Sequence, residues 1–168
     1  MIVLDNAIKD EDLLDVLTDP ILWENLCNNS YDRLLVDPHQ KVITGLWNTV
    51  SMILYRTKEL DLERHNPIEL EYWCNGLDQF NTLGWHQDKR EDLFPKKLIT
   101  PKIGVVWYGH PHTVWGGYLE IQNEHEYEVE IERIEPVYNR AIVFDASKVH
   151  RVSQIKAGTR YGFQLNLW

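Results

Sequence analysis

The sequence predicts an α+β, mainly β chain: a β-sandwich or barrel with helices packed on one side. Two observations carry this. Up to about residue 67 apolar residues recur at helical spacing, and from residue 68 the period becomes two. Helices thus come first and a run of strands follows, the order of an α+β architecture rather than of alternating βαβ units. A third observation, the lack of any internal repeat, low-complexity tract or linker, makes residues 1–168 one domain: a mainly helical buttress over 1–67 and a strand-rich core over 68–168.

Each element has its own signal. Residues 1–8 alternate weakly and read as an edge strand. Over Asp10 to Leu17, Leu13, Leu14 and Leu17 share one helical face, and Asp10, Glu11 and Asp12 suit the first turn. Pro20 is tolerated at a helix start, so Ile21 to Cys27 reads as a short helix. A longer helix follows Pro38, with Ile43, Trp47, Val50 and Leu54 forming a stripe for packing on a sheet. Arg64-His65-Asn66-Pro67 breaks the helical pattern. Ile68, Leu70, Tyr72 and Cys74 then alternate with Glu69, Glu71 and Trp73, which predicts a half-buried strand. Lys102 to Tyr108, Gly117 to Gln122 and Ala141 to Phe144 read as further strands. Tyr127 to Ile131, flanked by alternating glutamates, predicts a strand with a wet outer face. Val149 to Ile155 and Arg160 to Leu167 flank Lys156-Ala157-Gly158-Thr159, which reads as a hairpin turn.

Bulk properties narrow the function classes. Apolar residues make up 43% of the 168, with 7 Trp and 8 Tyr, a composition that folds around a core. No apolar run is long enough to span a bilayer, and the N-terminus lacks a secretory pattern. Cys27 and Cys74 lack metal-type spacing and read as reduced thiols, so the expected location is cytoplasmic. The net charge of −9 disfavours phosphate backbones and argues against nucleic acid as a partner.

The chemistry lies in a few positions. His86 and Asp88 stand two apart, so in an extended segment both project to one face. His150 opens a later strand and can approach from across a barrel. Two imidazoles and a carboxylate suit Fe(II) and leave coordination positions open. A surface His-Asp pair with an unrelated core histidine is the competing reading. Arg160 starts the strand after His150. It shares a face with Gly162, Gln164 and Asn166, while Tyr161, Phe163, Leu165 and Leu167 point the other way. A guanidinium there can hold a carboxylate through two parallel hydrogen bonds, or form a surface salt bridge.

These motifs together resemble a family. His86-x-Asp88, Gly116-Gly117-Tyr118-Leu119, Asn139-Arg140-Ala141-Ile142-Val143-Phe144, His150-Arg151-Val152, Gly158-Thr159-Arg160-Tyr161 and Trp168 look like the Fe(II)/2-oxoglutarate-dependent dioxygenases, in their prolyl-4-hydroxylase-like branch. The resemblance covers roughly residues 68 to 168. It implies a double-stranded β-helix, or jelly roll, with the N-terminal helices packed against one sheet. It makes His86, Asp88 and His150 the iron ligands. It gives Arg160 the distal carboxylate of 2-oxoglutarate, with Tyr72 as a hydroxyl donor to the same cosubstrate; a barrel-core aromatic is the competing reading of Tyr72. Gly162 departs from members that carry Ser or Thr there. Asn139 replaces a common Gly, and Asn tolerates left-handed backbone angles.

The implied cofactors are Fe(II), 2-oxoglutarate and O2, with ascorbate as an accessory reductant. The implied reaction couples oxidative decarboxylation of 2-oxoglutarate to succinate with hydroxylation of a C–H bond. A prolyl or other peptidyl target is expected first. A free amino acid or small metabolite is the alternative substrate, and a non-catalytic metal-binding jelly roll or an interaction protein the alternative class. Residues 89–100 and 109–116 are the expected substrate loops, with Trp85 and Trp115 as an aromatic wall. His110 and His112 either touch substrate or line a polar loop.

Overall fold

The computed structural model describes residues 1–29, 32–35, 45–80, 83–93, 96–111, 113–124 and 128–168, and the backbone alone at 26–29, 32–35, 91–93, 96 and 97. The N-terminal part holds β1 (Ile2–Leu4), α1 (Glu11–Val16), α2 (Pro20–Asn29), β2 (Asp32–Leu35) and α3 (Leu46–Arg56). The remaining strands are β3 (Glu69–Leu77), β4 (Arg90–Leu93), β5 (Lys96–Ile99), β6 (Ile103–Trp107), β7 (Trp115–Gly116), β8 (Leu119–Glu124), β9 (Val129–Ile134), β10 (Ala141–Phe144), β11 (His150–Val152), β12 (Ile155–Ala157) and β13 (Arg160–Leu167). A large sheet runs in the order β1-β10-β6-β13-β3-β2, and a small sheet in the order β11-β8-β9. Two-stranded ribbons pair β12 with β7 and β4 with β5. The antiparallel pairing of non-consecutive strands gives the expected jelly roll, with helices on one face of the large sheet.

The N-terminal part does more than buttress. β1 is an edge strand, as expected, and β2, which the sequence pattern did not reveal, closes the opposite edge. The Asp10 carboxylate caps α1 by accepting the Leu13 amide proton at 3.0 Å. α3 runs from Leu46 after Gly45 and carries Trp47, Val50 and Leu54 of the stripe; Ile43 falls outside the described residues. Its Val50 and Leu54 are fully buried, each contributing about 1.5–3 kcal/mol by leaving water. Trp47 stacks on Phe163 of β13, with ring centroids 5.7 Å apart. Trp23 of α2 packs edge-on to Trp47 and donates its indole proton to the Leu17 carbonyl. One core lies between the helices and the large sheet, built on Leu70, Tyr72, Phe163, Leu165 and Leu167. A second lies between the two sheets, built on Val106, Tyr108, Leu119, Ile121, Ile142 and Phe144.

Three local expectations change. β3 is covered on both faces: Leu70 and Tyr72 point under the helices, while Glu71, 4% exposed, accepts the Trp168 indole proton at 2.8 Å on the other side. On β9 the apolar alternation is inverted. Register places Ile131 opposite Gln122 and Val129 opposite Glu124, on the face that also carries Glu120 and Arg133. Val129 and Ile131 are accordingly exposed, and Tyr127 lies outside the described residues. Residues 156–159 are not a hairpin turn. β11 pairs with β8, β12 with β7, and β13 with β3 and β6, so the chain changes sheets here. Gly158 makes the crossing with φ of 80° against the Thr113 carbonyl, where a β-carbon would come within 2.2 Å.

Candidate metal centre

His86 and His150 meet because their backbones pair. Each amide donates to the other's carbonyl at 2.9 Å, which ties the His86-x-Asp88 segment to β11. The two rings lie 4.4 Å apart. The His86 Nδ1 is 2.8 Å from the Gly84 carbonyl oxygen, and the His150 Nδ1 is 2.9 Å from that of Lys148. A carbonyl oxygen only accepts, so each Nδ1 carries the proton and each Nε2 keeps its lone pair. Both lone-pair nitrogens face Asp88, whose Oδ1 lies 3.7 Å from that of His86 and 3.9 Å from that of His150. These gaps are too long for hydrogen bonds, yet two metal–ligand bonds of about 2 Å each can span them. One donor atom from each of the three residues falls within 4.8 Å of the others. Burial pushes His150 below the ordinary imidazole range, against the opposing pull of the Lys148 carbonyl and Asp88, which keeps the ring in the neutral form that ligates. Asn166 donates to Asp88 Oδ2 at 3.1 Å, which leaves Oδ1 turned toward the histidines.

The triad opens into a cavity of about 270 Å³ between the sheets, walled also by Trp73, Leu119, Phe144, Arg160 and Gln164. That volume lies near the lower end of ligand pockets, about 300–1,000 Å³, and suits a small molecule. The expected alternation of β13 holds. Arg160, Gln164 and Asn166 face the cavity, while Tyr161, Phe163, Leu165 and Leu167 face the helices. Arg160 is 1% exposed. Its Nη2 donates to the Tyr108 hydroxyl at 2.8 Å, and its Nε and Nη1 are buried without a partner among the described residues. An unpaired buried cation costs several kcal/mol, and a guanidinium with two free donors has the geometry to hold a carboxylate. Glycine at 162 leaves room beside it: a β-carbon there would stand 3.3 Å from Nη1 and 3.0 Å from the Gln164 amide.

Tyr72 is a correction. β3 turns Trp73 and Asn75 toward the cavity, so Tyr72 necessarily points the other way, stacked on Phe163 at 5.7 Å among the helix-facing core residues. Tyr108 reaches Arg160 in its place. It ends the β6 run on the same face as Val106. That parity was readable in Lys102 to Tyr108, but nothing in the run marks its phenol as polar-facing. Trp85 and Trp115 do not wall the cavity; Trp73 does. His110 lies edge-on to Trp23 and Tyr161, on the helix side, and burial pushes its pKa down. His112 lies outside the described residues. Within 89–100 the backbone forms the β4–β5 ribbon. Asn139 adopts φ of 55°, and its amide bridges the Ile8 backbone and the Trp107 indole, bonds that glycine could not make.

No helix among the described residues is long and apolar enough to cross a membrane. No curated protein matches the sequence. Among solved structures, the fold is similar to a prolyl-4-hydroxylase from Pseudomonas putida, at 14% identity and a TM-score of 0.65, over 99% of this chain and 83% of that one. It is also similar to the viral collagen prolyl hydroxylase of Paramecium Bursaria Chlorella virus-1 in its 2OG complex, at 14% identity and a TM-score of 0.56, over 98% and 93%. A third is the Trichoplax adhaerens prolyl hydroxylase in complex with a hypoxia inducible factor peptide fragment, at 11% identity and a TM-score of 0.52, over 99% and 82%. Residues 72–168, more than half of the sequence, match the family model of the 2OG-Fe(II) oxygenase superfamily. With that match laid over the His-Asp-His cavity, the chain belongs to the 2OG-Fe(II) oxygenase superfamily, dioxygenases that use Fe(II), 2-oxoglutarate and O2, and its fold is that of the prolyl-4-hydroxylase-like members.

Proposed function

We propose that the protein hydroxylates a prolyl or other peptidyl residue, with His86, Asp88 and His150 holding the iron and Arg160 holding the far carboxylate of 2-oxoglutarate. The reading takes residues 1–168 as one catalytic domain. The observation that carries it is the unpaired Arg160 guanidinium buried in the same cavity as the triad. A dicarboxylic acid supplies both missing partners, one end for the arginine and one for the metal. Iron(II) with 2-oxoglutarate and O2 supplies oxidising chemistry that couples formation of succinate and CO2 to hydroxylation of a C–H bond.

The chain's own residues prepare that chemistry. Arg160 and Tyr108 bind and orient the cosubstrate. Asn166 aims one Asp88 oxygen, and the backbone carbonyls of Gly84 and Lys148 fix both imidazole tautomers. Leu119, Phe144 and Val152 line the cavity with apolar surface that excludes water. The peptidyl target is supported by the likeness to prolyl hydroxylases, one of them solved with a peptide.

Anaerobic Fe(II) titration with and without 2-oxoglutarate tests the site. A weak visible charge-transfer band is expected only when both are present, followed by succinate release in air. Proline-containing peptides should then accelerate that release. His150→Ala should lose iron and turnover together, and full 2-oxoglutarate decarboxylation by that variant would sink the ligand assignment. Iron binding without any succinate release would instead favour a non-catalytic metal-binding module.

A further inference from the structure

We infer that an open groove on the outer face of the small sheet binds an extended acidic segment of the substrate, beside the residue to be oxidised. The inference rests on the peptidyl reading above. The groove has a volume of about 420 Å³ and runs past Trp115, Tyr118, Glu120, Arg133, Arg151 and Lys156. Arg151 lines this groove and also the iron cavity, and it follows His150 in the chain, so the groove adjoins the metal centre.

Its surface pairs cations with aromatic rings. The Lys156 ammonium lies 4.6 Å from the Trp115 ring, the Arg133 guanidinium 5.4 Å from that of Tyr118, and the Arg151 guanidinium 4.3 Å from that of Trp85. Stacking holds such cations extended over flat surface while their outer donors remain available. Glu120 is the one carboxylate among the described lining residues, and it is 0% exposed beneath Arg133 and Arg151. Three cations against one buried carboxylate leave the groove positive on a chain whose net charge is −9. On a chain of net negative charge, a positive patch favours an acidic partner at this place. Trp115, 64% exposed, adds apolar surface for an extended chain. An open groove of larger volume than the iron cavity suits a peptide strand better than a single small anion.

Labelled twelve-residue peptides with a central proline and acidic, neutral or basic flanks test this by fluorescence anisotropy, on the full chain with and without Fe(II) and 2-oxoglutarate under anaerobic conditions. The acidic peptide should bind most tightly and weaken with salt. Lys156→Glu and Trp115→Ala, both at exposed positions, should each raise its Kd about fivefold at an unchanged melting temperature. Equal binding of all three peptides, no binding, or indifference to both variants would overturn the inference while leaving iron and cosubstrate binding intact. A single-stranded oligonucleotide of equal charge that binds as tightly would overturn the peptide assignment. Acidic-peptide binding by a protein that takes up neither iron nor 2-oxoglutarate would uphold the groove and remove the oxygenase reading of the site.

Discussion

Glu120 and Arg160 are both buried charges, one on the outer face of the small sheet and one in the cavity between the sheets. Glu120 meets two arginines: Arg133 Nε at 2.8 Å on one oxygen and Arg151 Nε at 2.7 Å on the other. Arg160 meets no carboxylate among the described residues, only the Tyr108 hydroxyl. Burial costs each ion several kcal/mol, and the fold recovers that cost at Glu120 but not at Arg160. A complete ion cluster organises the fold. An incomplete one, enclosed beside the His-Asp-His triad, is the feature on which the proposed cosubstrate site rests.

Removing Arg160 should produce the largest effect. Arg160→Met deletes the unpaired charge and keeps much of the side-chain volume. The 2-oxoglutarate KM should rise about 100-fold, from the 2–5 kcal/mol typical of breaking a buried charge pair. Fe(II) binding without cosubstrate should be spared, and the melting temperature of the ligand-free protein should hold or rise, because an uncompensated charge has left the interior. Steady-state kinetics and calorimetry check both. An unchanged KM would show that Arg160 is not the carboxylate anchor.

Glu120→Gln should do the opposite. Stability should fall by about 2 kcal/mol, less than for a fully enclosed pair because both arginines reach water, and the 2-oxoglutarate KM should not move. Denaturant unfolding reads the loss. The pH dependence sharpens it. Burial works to raise the Glu120 carboxyl, but the bonds from Arg151 and Arg133 outweigh it and hold it below the usual range. A carboxyl depressed in the folded state lends stability above its unfolded pKa, near about 4.3, and that stability is lost as pH falls through the folded pKa. The wild type should therefore weaken in acid, and Glu120→Gln should show a flatter profile below about pH 4.3. Parallel profiles would separate Glu120 from acid stability.

The same contrast explains what was legible in the sequence. Arg160 follows strand parity in β13, and parity survives folding because the pleat enforces it, whereas His86 and Asp88 lie in an irregular segment joined to His150 of β11 by a single bridge. The alternation of Arg160 with Phe163 and Leu165 gives its face, because only one side of β13 meets the cavity. Tyr72 fails by the same rule: it alternates with Trp73, and Trp73 faces the cavity. Parity within a strand cannot say which face meets the cavity when both are buried. Residues 156–159 look like a hairpin in sequence because a turn residue such as Gly158 marks reversal, not the sheet to which the chain returns. The Glu120 cluster was invisible for a related reason: Arg133 and Arg151 come from different strands, joined only by register.

Asn166 tests whether the metal ligands are held as deliberately as Arg160. It is 2% exposed and donates to Asp88 at 3.1 Å, so Asn166→Leu keeps the volume and removes the donor. Fe(II) affinity should fall about tenfold, in line with loss of a partner to a ligating group, while the KM for 2-oxoglutarate changes less. Unchanged iron affinity in the anaerobic titration would mean that Asp88 holds its orientation without this bond.

The smallest effect should come from the tyrosines, and it decides which one serves the cosubstrate. Tyr108→Phe removes the one hydroxyl among the described residues that meets Arg160 and leaves a ring whose centroid lies 4.8 Å from the guanidinium carbon. The 2-oxoglutarate KM should rise about fivefold, the worth of a hydrogen bond of roughly 1 kcal/mol. Tyr72→Phe should leave that KM where it is, because its ring lies against Phe163 on the far side of β3. If the two variants exchanged these outcomes, β3 would have to present its other face to the cavity. Trp73 and Asn75 would then turn into the helix-packed core, which is incompatible with the register that pairs Leu165 with Tyr72 and Phe163 with Cys74.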